Sequence, residues 1–249
     1  ATGANLIVSG SYFLEAGQIR FHSRVIRAAG DKMDILSVPE PVTGSPEDPM
    51  QAFLQLGEGI RGAFAFIIGP EFELYGSYIE KPPVYEAYQE FLQGQRYMEQ
   101  YDYEHAMRHW SRAIAIDSTF YLPVLWKTQG FMEISTIKAD SLLRRLDAVR
   151  DQLSVFEKQY YTFMRARLDG ATDEALDAAR RMAEIAPGPW YRYSHAWMAF
   201  RSNRPGEAVK VINQIDPLQS WWGLWWLKTK ALYGLGEYEQ ELTDALKGL

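Results

Sequence analysis

Small residues recur along this chain at a spacing that few folds tolerate. Ala106, Ala139, Ala175 and Ala208 stand 33, 36 and 33 residues apart, and Glu241 follows 33 residues later at the equivalent place in a fifth, degenerate unit. That period is the length of a two-helix hairpin, which cannot bury its apolar stripe alone and must stack on its neighbours. Four connectors hold the register: DYE near 102, GATDE near 170, NRPGE near 203 and GEYE near 236, each opening the second helix of a pair. Pro187 and Pro217 are placed to close second helices, because proline cannot continue one. The expected fold is mainly α, a solenoid of about five helix pairs over residues 84–249.

Before residue 75 the period is different. LIVSGSYFL, IRFHSRVIRA and MDILS are strand-like runs separated by EAGQ and AGDK, where Gly17 and Gly30 supply the positive φ of tight connections. This predicts a three-stranded antiparallel meander, followed by the connector PEPVTGSPED and a helix over PMQAFLQLGEGIRGAFAFII. Phe53, Leu54, Leu56, Ile60, Phe64 and Ile67 are available on that helix to cover the sheet. Three strands and one helix make a thin α+β unit over 1–75, expected to be completed by further strands or helices.

In YEAYQEFLQGQRYMEQYDYEHAMRHWSRAIAIDS, Gly94, Tyr97, Tyr103, Ala106, Trp110, Ala113 and Asp117-Ser118 stand at the offsets of one two-helix unit. These residues resemble a tetratricopeptide repeat (TPR). The later units depart from the pattern, with Phe163 and Ala196 where glycine is usual. The segment GANLIVSGSYFLEAGQIRFHSRVI resembles the second half of a TolB-type, FlgO-like amino-terminal domain, as found in multidomain bacterial regulators: winged-helix transcription factors, adenylate cyclases and Ser/Thr kinases. The resemblance implies a regulatory or signalling context and a concave surface, lined by the first helix of each pair, that takes peptides.

Composition narrows the classes. A net charge of -6 offers no uniform field to a phosphate backbone, and no basic run is flanked by aromatics, so nucleic acid is not expected to bind this segment. In QSWWGLWWLK, Trp221, Trp222, Trp225 and Trp226 concentrate half of the eight tryptophans, but Lys228 and Lys230 cut the stretch short of a membrane span. No signal peptide is visible, and a soluble domain is expected, with the cytoplasm favoured over the periplasm. The absence of cysteine excludes disulfides and thiolate chemistry.

Catalytic signals are missing. No Gly-rich phosphate loop, nucleophile elbow or HExxH motif occurs, and no cofactor is implied. His105 and His109, four residues apart on a helix, could clamp a metal only with a third ligand, and a solvated face is the expected reading. His195 is expected to pack or to make a single hydrogen bond. The glycines of LGEGIRGAF are read as permitting close packing on the sheet.

The aromatics point to binding. Counting back from each small anchor, the inward rows of the first helices fall on Tyr88 and Phe91, on Tyr121 and Thr128, on Tyr160 and Met164, on Trp190, Tyr193 and Trp197, and on Trp226 and Lys230. The expected groove residues are Tyr121, Tyr160, Met164, Trp190, Tyr193, Trp197, Trp226 and Lys230, with Trp222 beside them and Arg192 and Arg201 available to carboxylates. Their density in the C-terminal half exceeds what one interlayer seam can bury, and hot spots favour Trp, Tyr and Arg. The expected function is therefore a non-enzymatic protein-interaction module binding a peptide or protein. The alternative is a regulatory domain that senses a small apolar molecule or peptide and controls an output domain. Homodimerisation is expected through exposed ends, either the first strand or the final helix with its Leu242, Ala245, Leu246 and Leu249.

Overall fold

The computed structural model describes residues 5–29, 32–68, 83–216 and 222–247, and the chain forms two compact units that divide between Lys127 and Thr128. The division falls later than the change of period, because the first helix pair clusters with the sheet.

In the first unit, β1 (Leu6–Glu15) and β2 (Gln18–Ala29) form an antiparallel hairpin. Its two connecting residues, Ala16 and Gly17, have φ of 50° and 77°. Two successive left-handed residues make the turn whose twist matches the flanking strands. β3 (Lys32–Ser37) pairs antiparallel with β2, with a register shift at Val25/Ile26. The expected meander is present, with an addition: within the segment read as a connector, β4 (Val42–Gly44) pairs with Ile19–Phe21 of β2. Gly30 lies outside the described residues.

α1 (Met50–Ile68) covers the middle of the sheet with a narrower face than its apolar pattern suggests. Ala52, Leu56 and Ala63 are buried, whereas Phe53 reaches Phe21 of β2 with its ring at 6.5 Å but stays 59% exposed, and Leu54, 60% exposed, does not cover the sheet as expected. Small residues set the spacing. A Cβ on Gly44 would lie 2.6 Å from the Ala52 Cβ, and one on Gly62 would lie 2.2 Å from the Pro83 carbonyl oxygen. Close packing is thus the role of Gly62, although toward Pro83 and not toward the strands.

α2 (Tyr85–Glu99) and α3 (Tyr103–Ile116) form the first helix pair. Gly94 makes room for Trp110, whose indole Nε1 would be 2.4 Å from a Cβ at that position. Trp110 and Trp126 are both buried with centroids 6.1 Å apart, and Phe91 meets Phe120 at 5.4 Å. Tyr97 stacks against both His105 and His109 at 5.0 and 5.2 Å, and His109 Nδ1 lies 2.7 Å from Glu90. The two histidines are therefore engaged with a ring and with carboxylates.

α4 (Leu122–Ile134) carries the division between the units and pairs in sequence with α5 (Thr136–Asp147). The second unit continues with α6 (Val155–Asp169) and α7 (Thr172–Ile185), α8 (Pro189–Arg201) and α9 (Pro205–Ile212), then α10 (Trp222–Leu235) and α11 (Tyr238–Lys247). Eleven α-helices are thus described, ten of them in five pairs. Ala106, Ala139, Ala175 and Ala208 are all fully buried, as the seams of stacked hairpins require. The wider 36-residue step is absorbed between α5 and α6, where a short 3-10 turn, Arg150–Gln152, lengthens the link. α9 ends at Ile212, ahead of Pro217, which lies outside the described residues, as does Leu249.

Candidate aromatic binding face

α8 sorts its aromatic residues onto two faces. Tyr191, on the inner face of α8, is fully buried with its ring 4.9 Å from Phe156 and 6.0 Å from Tyr160 on α6. This seam takes only part of the ring content. Trp190, Tyr193 and Trp197 follow one another at helical spacing on another face of α8 and remain half-buried. Their centroids are 5.9 and 6.4 Å apart.

The row then crosses to α10. Trp197 lies 5.8 Å from Trp226 at 33°, and Trp226 lies 6.4 Å from Trp222 at 30°. Five rings, Trp190, Tyr193, Trp197, Trp226 and Trp222, thereby form one ladder on two neighbouring first helices. Offset, tilted contacts of this kind suit the ring quadrupoles, which disfavour a face-to-face sandwich. The ladder is open at its end, where Trp222 is 70% exposed. Trp225 turns away and takes Lys228 over its ring at 5.8 Å, while Lys228 Nζ pairs with the buried Asp244 at 2.8 Å. Trp221 lies outside the described residues.

Cations flank the ladder. One turn beyond Trp197 and Trp226, Arg201 and Lys230 are both exposed. On α6 the corresponding row ends in Arg167, whose guanidinium sits 5.3 Å from the Phe163 centroid and donates to Gln129 Oε1 at 3.0 Å and Glu133 Oε1 at 3.3 Å. Burial holds its pKa below the ordinary arginine value, with the Arg201 charge adding to the effect and Glu133 opposing it. Arg167 carries no repeat signal in the sequence; only its position three residues after Met164 could have flagged it.

The expected groove residues divide accordingly. Trp190, Tyr193, Trp197 and Trp226 come together, and Lys230 stands one turn past the ladder. Tyr160 and Met164 do not join them: both are fully buried, and burial pushes the Tyr160 phenol well up, reinforced by Tyr191 and opposed by Arg167 and the Trp190 indole. They form the layer on which the face is built. Tyr121, in the first unit, is buried at 9% exposure, and Tyr88, Phe91 and Thr128 are buried as well. The counting rule assumed that every first-helix row faces solvent; on α6 that row is claimed by α8.

Arg192, expected to receive carboxylates beside the ladder, faces elsewhere. It borders a cleft of about 380 Å³ between α7, α8 and α9, and its Nη1 donates to the Gln214 carbonyl at 2.7 Å. In that cleft Glu207 accepts from Arg180 Nε and Nη2, both at 2.8 Å, and lies 2.7 Å from His195 Nε2. The bidentate Arg180 contact, helped by His195, holds the Glu207 pKa down at about 2. This cluster ties three helices together, and its polar groups are spent on one another. Among the described residues no group of histidines and carboxylates could hold a metal ion, and no helix is long and apolar enough to cross a membrane.

No family model matches the chain, and no curated protein matches it. Solved structures do. A thermophilic TPR protein of Thermus thermophilus is similar at 13% identity over 66% of this chain and 90% of that one, with a TM-score of 0.50. The MamA protein is similar at 16% identity over 66% of this chain and 90% of its own, with a TM-score of 0.41. At such identities the likeness concerns the backbone: this chain is a mainly α, TPR-like solenoid with a small N-terminal antiparallel sheet.

Proposed function

We propose that the chain is a non-enzymatic interaction module that captures an extended peptide or a protein segment along the aromatic ladder of α8 and α10, within a larger signalling or regulatory protein of bacterial type. The observation that carries this reading is the ladder itself. Four rings remain half-buried and Trp222 largely exposed, beside a seam that buries Tyr160 and Tyr191 completely. Tryptophan and tyrosine left partly wet at close quarters are the residues from which interface hot spots are made. The exposed Arg201 and Lys230 favour a partner with apolar side chains followed by acidic ones, an arrangement that speeds encounter and sets direction.

The test is a selection from a random peptide library followed by measurement of Kd. Trp226→Ala and Trp197→Ala should each weaken a selected peptide at least about tenfold, the scale of a hot spot, with far-UV circular dichroism unchanged. Parallel loss of affinity and helicity would assign the rings to the core, and peptides indifferent to both substitutions would remove the ladder from recognition.

A sensing role is the second reading. The cleft of α7, α8 and α9 favours a small charged ligand over the apolar one expected from the sequence, since Glu184 and Lys210 line it outside the Arg180–Glu207–His195 cluster. A thermal-shift screen separates the two readings, because a ligand that binds only the folded state raises the melting temperature.

A further inference from the structure

The N-terminal sheet has an edge that lacks the usual protection. Strand edges are normally guarded by charges, proline or bulges, because a row of free N–H and C=O groups is a template for another strand. β1 has none of these from Leu6 to Leu14, and among the described residues only β2 pairs with it, whereas β3 carries Lys32 and Asp34.

The register shows which groups are free. The Asn5 carbonyl accepts from the Ala28 N–H at 2.9 Å, and the hairpin closes on Glu15 opposite Gln18. Hydrogen-bonded and non-bonded pairs alternate along an antiparallel ladder, so the odd-numbered residues of β1 exchange bonds with β2, and the even-numbered ones direct N–H and C=O outward. The outward residues are Leu6, Val8, Gly10, Tyr12 and Leu14. They read almost the same in both directions about Gly10, with an aliphatic residue at each end, bulky side chains next, and glycine at the centre.

These same residues have their side chains on the face that α1 covers: Tyr12 pairs with Phe21, and the Phe21 ring lies 6.5 Å from Phe53. The cover stops short of β1, leaving Val8 43%, Tyr12 72%, Leu14 72% and Phe53 59% exposed. From these observations we infer that β1 pairs antiparallel with β1 of a second copy, with Gly10 on the two-fold axis, Val8 opposite Tyr12 and Leu6 opposite Leu14. The occupant is self-complementary, as a two-fold interface requires, and brings no charge to oppose. The two sheets become one, and the exposed apolar residues of each copy meet between the two α1 helices. A handful of exposed apolar side chains per copy falls short of the roughly 800 Å² per partner of a standard interface, so the dimer dissociates on dilution.

Light scattering of the unmodified chain gives the first measurement, and the absence of cysteine gives a clean second one. The pairing places Ser9 opposite Ser11 of the other copy as a non-hydrogen-bonded pair with Cα atoms about 4.5 Å apart, within reach of a disulfide. Identical positions are about 8 Å apart, beyond the disulfide range. Ser9→Cys and Ser11→Cys proteins mixed in equal amounts should give a covalent dimer on mild oxidation, while either alone should give little. At about 100 μM the unmodified chain should scatter as twice its 28.6 kDa mass and as a monomer on dilution. A 28.6 kDa species at every concentration would overturn the inference and leave the edge to another protein's strand. So would a dimer by mass without cross-linking of the mixture, or equal cross-linking of either variant alone.

Discussion

Trp197 of α8 and Trp226 of α10 lie 5.8 Å apart at 33°, and this contact joins the two runs of rings into one ladder. Aromatic pairs in such geometry add about 0.5–1.5 kcal/mol beyond area burial. A double-mutant cycle with Trp197→Leu and Trp226→Leu, followed by urea denaturation, should return a coupling of about 1 kcal/mol. A coupling near zero would mean that the rings are neighbours without being partners.

Glu207 is held at about 2 by Arg180 and His195, against an ordinary value of 4.5. A carboxylate depressed in the folded state contributes stability that is complete above its unfolded pKa and disappears as pH falls through its folded one. Stability should therefore drop between about pH 4.5 and pH 2 in part through this group, and Glu207→Gln should flatten that stretch of the profile. At neutral pH the substitution should cost about 1 kcal/mol, allowing for solvent screening of a partly exposed cluster.

Glycines in this chain divide by what a methyl group would meet. Gly94→Ala drives a Cβ to within 2.4 Å of the buried Trp110 indole, so a loss of roughly 1–3 kcal/mol is expected from overpacking. Gly57, in the middle of α1, has nothing within 4 Å of such a methyl group. Gly57→Ala should therefore raise stability by about 0.5–1 kcal/mol through helix propensity. Thermal denaturation of the two variants should shift in opposite directions.

Ser154 opens α6 with a complete capping box: its hydroxyl accepts from the Glu157 N–H at 3.1 Å, and the Glu157 carboxylate accepts from the Ser154 N–H at 2.9 Å. Ser154→Ala should destabilise the protein by about 1 kcal/mol. Ser154→Asp should recover most of that loss, since an aspartate oxygen can accept the same N–H.

The repeat was legible because it rests on sterics. An alanine that must let two helices touch cannot be exchanged for a larger residue without cost, so Ala106, Ala139, Ala175 and Ala208 keep their spacing and are all buried. The sheet was legible through alternation, except for β4, whose three residues sit among prolines and serine and are too few to show a period. The aromatic face was half legible. Helical spacing identified the rows on α8 and α10, but nothing local tells Tyr160 that Tyr191 of α8 will close over it. Burial on α6 is decided by the neighbouring hairpin, a tertiary fact. Arg167 escaped for the same reason, since its partners Gln129 and Glu133 lie more than thirty residues away.

Left-handed residues stand two positions before four of the second helices: Tyr101, Gly170, Asn203 and Gly236, the last three spaced 33 residues apart. Between α4 and α5 there is no such residue, the two helices being joined through Ser135 alone. Where the hinge residue is present, each pair turns back on itself within a handful of residues and carries its own fastening. Under tension the C-terminal hairpins should consequently detach as separate events of equal contour length, a staircase in an optical-trap trace, and not in one rupture.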